Sequence, residues 1–223
     1  MDIKTLISKV KENKDLREAI VFCFSTLVTL GFAISNRVLG AVNKSIWHET
    51  IGLYYLLLLA IKIIIILTQK DNKKRTFEKI ERNNKIIFYI TGSILFLVNI
   101  ALSGPIILMI MDKRIIQFGL IESIAIAAFT TFKVYMAIRN YIKNKNNSDI
   151  IVKEVKVVSL VEAIVSILTL QNTLIAVNAS PEEAGDLKIL TIVSSIVGLL
   201  AILYFIVDMF IKFVNKIKKS KKI

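Results

Sequence analysis

A chain of 223 residues is long enough for one soluble domain, yet 55% of its residues are apolar and its mean hydropathy is +0.65, a balance that a water-exposed fold cannot hide. Its formal net charge of +13 does not imply nucleic acid as partner. Almost all of the 30 Lys and Arg residues fall between apolar blocks, where basic segments are drawn to an anionic cytoplasmic leaflet.

The single cysteine, Cys23, excludes an intrachain disulfide. The blocks are long apolar runs without the alternation of a strand, and backbone exposed to lipid must satisfy its own hydrogen bonds. A hydrocarbon core of about 30 Å takes roughly 20 helical residues. Six blocks meet that length, near 19–41, 50–68, 86–111, 115–138, 157–178 and 188–211. The expected fold class is therefore an all-α integral membrane protein, a bundle of six transmembrane helices spanning 19–211.

Residues 1–18 precede the bundle as a cytoplasmic amphipathic segment, with Ile3, Leu6, Ile7 and Val10 on one helical face and Lys4, Lys9, Lys11 and Lys14 around them. So long and mixed-charge a leader argues against a cleaved signal peptide. The first span carries Ser25, Thr26, Thr29, Ser35 and Asn36. Small residues four apart, Gly31 with Ser35, Ser123 with Ala127 and Ser194 with Gly198, read as helix-packing positions.

The second span opens on Trp47, His48 and Glu49, with Trp47 read as an interface anchor, and continues through Tyr54 and Tyr55 to Lys62. In the third span, Ser103 and Gly104 precede Pro105, whose missing amide frees a carbonyl. A tight hairpin at Met111 to Arg114 leads to the fourth span, which holds Glu122 and Lys133. The fifth contains Glu162, Ser166, Gln171 and Asn172. Ser180-Pro181-Glu182-Glu183 is a good helix start before the sixth, which carries Asp208. Residues 212–223 form a basic cytoplasmic tail. Lys62, Lys133 and Asp208 recur toward the same end of the even-numbered spans, a periodicity that suggests three successive helical hairpins.

Orientation follows from the basic residues. With the N-terminus inside, the cytoplasmic segments hold five before the first span, seven from Lys70 to Lys85, five from Arg139 to Lys156 and six from Lys212 onward, 23 in all against five on the other side. The positive-inside rule then places both termini in the cytoplasm.

Ionisable and polar groups inside hydrocarbon are costly and face a partner or a cavity. Counted inward from the outer helix ends, Glu122, Gln171, Asn172, Ser103 and Asn36 fall at one level, roughly 10 Å deep, with Tyr54 and Tyr55 above them. This outer node suggests a site for a cation or small polar solute, or else interhelical hydrogen bonds alone. A second group lies toward the cytoplasmic face, where Lys133 with Glu162 and Lys62 with Asp208 make plausible ion pairs, their lysines close enough to the surface to snorkel.

No zinc, phosphate-loop, nucleophile-elbow or paired-cysteine pattern is present. An enzymatic activity, a metal or a cofactor is not expected. Two function classes remain: a small transporter or channel-like protein, and a non-transporting accessory or immunity-type subunit working with a membrane-protein partner or as a homo-oligomer.

Ser45-Ile46-Trp47 followed by Tyr54-Tyr55, then Thr130-Thr131-Phe132-Lys133, then Leu160-Val161-Glu162-Ala163-Ile164-Val165-Ser166 running into Leu170-Gln171, resembles small six-span membrane proteins of low-GC Gram-positive bacteria. The resemblance implies a bacterial plasma membrane and the same topology. It carries over no substrate and no site residue.

Overall fold

The computed structural model describes residues 14–72, 76–111, 119–143, 150–178 and 184–220. These form six α-helices: α1 Lys14–Asn43, α2 Ile46–Asn72, α3 Phe77–Met111, α4 Leu120–Lys143, α5 Ile150–Asn178 and α6 Ala184–Ser220. Each contains a segment long and apolar enough to cross a bilayer, so the protein is a polytopic membrane protein with a six-helix bundle. The amphipathic face of Ile3 to Val10, the turn beyond Met111 and the helix start at Ser180 to Glu183 lie outside the described residues.

The α1–α2 connection shows how local chemistry sets an element boundary. Lys44 takes a left-handed conformation (φ 50°), and the amide of Ser45 then donates 3.0 Å to the carbonyl of Gly40, closing a Schellman-type end on α1. Ser45 also starts α2: its Oγ accepts the His48 amide at 3.4 Å and lies 2.9 Å from His48 Nδ1. One residue thus ends one span and caps the next.

Close helix approach comes from Gly52 and Gly40, outside the small-residue pairs, and from Gly198, within one of them. A Cβ on Gly52 would lie 2.9 Å from the backbone nitrogen of Arg37 and 3.0 Å from the carbonyl of Ala33. One on Gly40 would meet the Glu49 nitrogen at 2.7 Å. These two glycines press α1 against α2. Gly198 receives Leu168 of α5, whereas Gly31 has nothing within 4 Å, so its pairing with Ser35 is not a packing seam.

α1 packs on α2, α2 on α3, α3 on α6, α6 on α5 and α5 on α4. Side chains close the ring between α1 and α4, where Phe32 stacks on Phe129 at 3.8 Å between centroids and Phe24 meets Phe132 edge-on at 5.7 Å. α5 also touches α2 and α3. It is the hub: 61% of its span is buried within the protein, against 28% for α1 and for α6.

This connectivity departs from three successive hairpins. Among the described residues α3 and α4, expected to form the middle hairpin, share no packed interface. The pattern instead divides into two halves, α1–α3 and α4–α6, offset by about 104 residues, the separation of Thr29 from Lys133. The α1–α2 interface corresponds to α4–α5, and α2–α3 to α5–α6. Advanced by that offset, the Phe32–Tyr55 contact becomes Met136–Ser159, which lies one turn along the antiparallel register of Lys133 on Glu162.

The halves meet through counterpart helices: α1 with α4, α2 with α5, and α3 with α6, where Phe88 stacks on Phe213 at 3.9 Å. With three spans in each half, counterparts run in opposite directions through the membrane. That is the form of an inverted repeat. The α3–α5 contact, with no comparable α2–α6 interface among the described residues, breaks the symmetry.

Candidate functional site

The charged residues converge at the seam between the two halves. Lys62 of α2 places its Nζ 2.6 Å from Oε1 and 2.7 Å from Oε2 of Glu162 on α5. Lys133 of α4 reaches Oε2 of the same carboxylate at 3.2 Å. It also donates a short hydrogen bond to Thr29 Oγ1 of α1 and lies 5.2 Å from the Phe129 ring centroid, a cation–π contact. Four helices are tied by one Lys–Glu–Lys cluster.

Helical spacing explains the convergence. Tyr55 and Lys62 are seven residues apart on α2, as are Ile126 and Lys133 on α4, so each pair shares the inward stripe. On α5, Glu162, Ser166, Thr169 and Thr173 follow the same repeat. Glu162 and Lys133 each lie well inside 24-residue spans, Val152–Ile175 and Leu120–Lys143, about 15 Å from one end and about 20 Å from the other, and Lys62 lies about 9 Å from the Thr68 end of its span. Lys62, Lys133 and Glu162 are 5%, 1% and 2% exposed. Burial this deep replaces the snorkelling expected of the lysines.

Of the two expected ion pairs, Lys133–Glu162 forms. Lys62–Asp208 does not. Asp208 pairs instead with Lys212 one turn along α6, at 2.6 Å, with side chains 34% and 59% exposed. Two lysines therefore share one carboxylate, and the formal charge of the buried cluster is +1.

The outer residues are dispersed. Gly119 precedes the first turn of α4, five residues later than the expected helix start, and Glu122 Oε2 accepts its amide at 3.0 Å. This is the reciprocal half of a capping box, and it sets Glu122 at a helix end. The register of α4 on α5, marked by the Thr130 hydroxyl donating to the Ser166 carbonyl at 2.9 Å, brings Glu122 level with about Leu174. No hydrogen bond or ion pair joins it to Gln171 or Asn172 among the described residues.

Asn36 donates to the Phe32 carbonyl at 2.9 Å, and Ser103 to Ile100 at 2.6 Å, each within its own helix. Gln171 is half-buried. Asn172 is 4% exposed, and neither atom of its side-chain amide has a partner. Tyr54 and Tyr55, 3% and 0% exposed, line the seam; Tyr55 meets Phe32 and Phe129 edge-on at 5.2 and 5.3 Å. Neither tyrosine hydroxyl closes a hydrogen bond among the described residues. Trp47 is 6% exposed and belongs to the apolar core, not to an exposed interface belt.

Other buried polar contacts were not anticipated. Thr91 of α3 donates to Glu154 Oε1 of α5 at 2.8 Å. Glu154 sits on one stripe with Val158, Val161 and Val165, a spacing that flags its burial. Asn72 bridges α2 to α3 through Asn84 at 2.6 Å and Asn83 at 3.0 Å, and Asn140 of α4 donates to Ser159 of α5 at 2.9 Å.

The arrangement offers a fixed cationic centre in low dielectric, with the Thr29 hydroxyl accepting from Lys133. Neither a known protein family nor a curated protein matches the chain. Chemical geometry therefore carries the functional reading.

Proposed function

We propose that this protein is a small transporter or channel-like protein for a polar solute, with Lys62, Glu162 and Lys133 as its binding centre. The observation that carries this reading is the position of the cluster. It joins counterpart helices of two inverted halves inside the membrane spans, about 9 to 15 Å from the span ends at the α2–α3 and α4–α5 connections, and secondary transporters hold substrate within the membrane where their repeats meet. Glu122, Gln171 and Asn172 then belong to the approach to the site. The basic-residue asymmetry supports cytoplasmic termini, and the sequence resemblance supports a bacterial plasma membrane.

A single observation favours the alternative, an accessory or immunity-type subunit in which the cluster only clamps helices. Both oxygens of Glu162 already face ammonium groups. Flux in proteoliposomes separates the two readings. The transporter reading expects solute movement that Glu162→Gln abolishes while the variant still purifies as a monodisperse protein. Absence of flux together with stoichiometric co-purification of another membrane protein would establish the accessory role instead.

A further inference from the structure

Toward the α2–α3 and α4–α5 connections, polar side chains pair between helices: Asn72 with Asn83 and Asn84, Thr91 with Glu154, and Asn140 with Ser159. Toward the α1–α2 connection, Trp47 Nε1, the Tyr54 and Tyr55 hydroxyls and both polar atoms of Asn172 have no hydrogen-bond partner among the described residues. The register of α2 on α5, set by Lys62 against Glu162, places Asn172 at a level between Trp47 and Tyr54. Ordered by level along α2 and α5, these groups make up a column between the α1–α2 connection and the cluster.

A buried polar group without a partner costs free energy, and the cost rises where no water can reach it. Such groups are retained where a ligand satisfies them. The column sets an indole N–H, two phenolic O–H groups and an amide NH₂ as donors against one carbonyl acceptor, Asn172 Oδ1. It ends at two ammonium groups sharing one carboxylate. Donors around an excess of one positive charge fit a ligand with one negative charge.

We infer that the centre binds a small monovalent anion of the carboxylate or halide type, which enters from the α1–α2 side past Asn172, Tyr54 and Tyr55 and is held by Lys62 and Lys133. The inference rests on the transporter reading and specifies its substrate class.

The test uses the full chain in proteoliposomes. Efflux of chloride, nitrate and acetate is measured with valinomycin and potassium compensating charge, beside uptake of rubidium without valinomycin and of glycerol. The expected result is movement of at least one anion and of neither rubidium nor glycerol, with the acetate and chloride arms separating carboxylate from halide. Lys133→Met lowers that flux about tenfold, and Lys133→Arg restores much of it. Tyr54→Phe, which keeps the ring and its packing, raises the half-saturating anion concentration about tenfold, the effect of losing one charge-assisted hydrogen bond. If Lys133→Met does not purify as a monodisperse protein, the response of Tyr54→Phe alone decides whether the site stands.

Rubidium or glycerol moving in place of the anions overturns the inference and leaves the transporter reading standing. No movement of any probe overturns both. Anion flux indifferent to both Lys133→Met and Tyr54→Phe removes the site.

Discussion

Lys133 of α4 donates to the hydroxyl of Thr29 on α1, the residue 104 positions earlier in the chain, and that interval is the offset relating the two halves of the bundle. A contact between equivalent positions of a two-fold arrangement lies on its axis. The same ammonium touches Glu162, so the buried carboxylate sits beside the axis, where the two halves meet. The cluster is therefore both a junction and a charge centre.

Glu162→Gln leaves two ammonium groups facing each other with no counter-charge. Removal of one partner from a buried ion pair costs about 3 to 5 kcal/mol, and here two pairs are lost at once. The expected result in detergent is a large fall in thermal midpoint. Lys62→Met combined with Glu162→Gln leaves a single cation and is expected to cost less than the sum of the two changes, as a double-mutant cycle reads it. Additive costs would show that Lys62 and Glu162 do not act as a pair.

Asp208→Asn is the contrasting case. Its partner Lys212 is one turn away, and both side chains are partly exposed. An exposed ion pair of this spacing contributes less than about 1 kcal/mol. The thermal midpoint is expected to stay within the scatter of repeat measurements, and a fall comparable with that of Glu162→Gln would place Asp208 in the buried network after all.

The six spans and the inward-facing charges were legible because hydrophobic length and the cost of buried charge act locally along the chain. Partner choice was not. Lys62 and Asp208 lie toward the same end of their spans, but pairing depends on which helices are neighbours, and sequence spacing does not report that α2 abuts α5. The depth of Glu122 was not legible either, because the apolar run of the fourth block extends beyond its helix, and the capping contact at Gly119 moves the carboxylate to the helix end. The repeat stayed hidden because it is carried by register and connectivity, with Thr29 opposite Lys133 and little likeness in residue type.

Gly52 separates packing by small residues from mere spacing. An added Cβ would meet the backbone of Arg37 and Ala33 within about 3 Å, and backbone cannot swing aside as a side chain can. Overpacking of this kind costs about 1 to 3 kcal/mol. Gly52→Ala is expected to lower the thermal midpoint, whereas Gly31→Ala, with open space around the added methyl, is neutral or slightly stabilising because alanine is the better helix former. Equal effects at the two positions would count against the close α1–α2 approach.

Orientation sets which side the donor-rich column opens on, and it rests on charge asymmetry. Under the positive-inside rule, the segments holding 23 of the basic residues are expected on the cytoplasmic side. In a Cys23→Ala background, single cysteines at Lys44 in the α1–α2 connection and at Thr76 in the α2–α3 connection report opposite faces. Both positions are exposed. A membrane-impermeant maleimide added to intact cells is expected to label Lys44→Cys alone, and Thr76→Cys only after the membrane is opened. That pattern places Tyr54, Tyr55 and Asn172 on the outer side of Glu162, so that solute arrives from outside. The reverse pattern would turn the column toward the cytoplasm and make the same centre an export site.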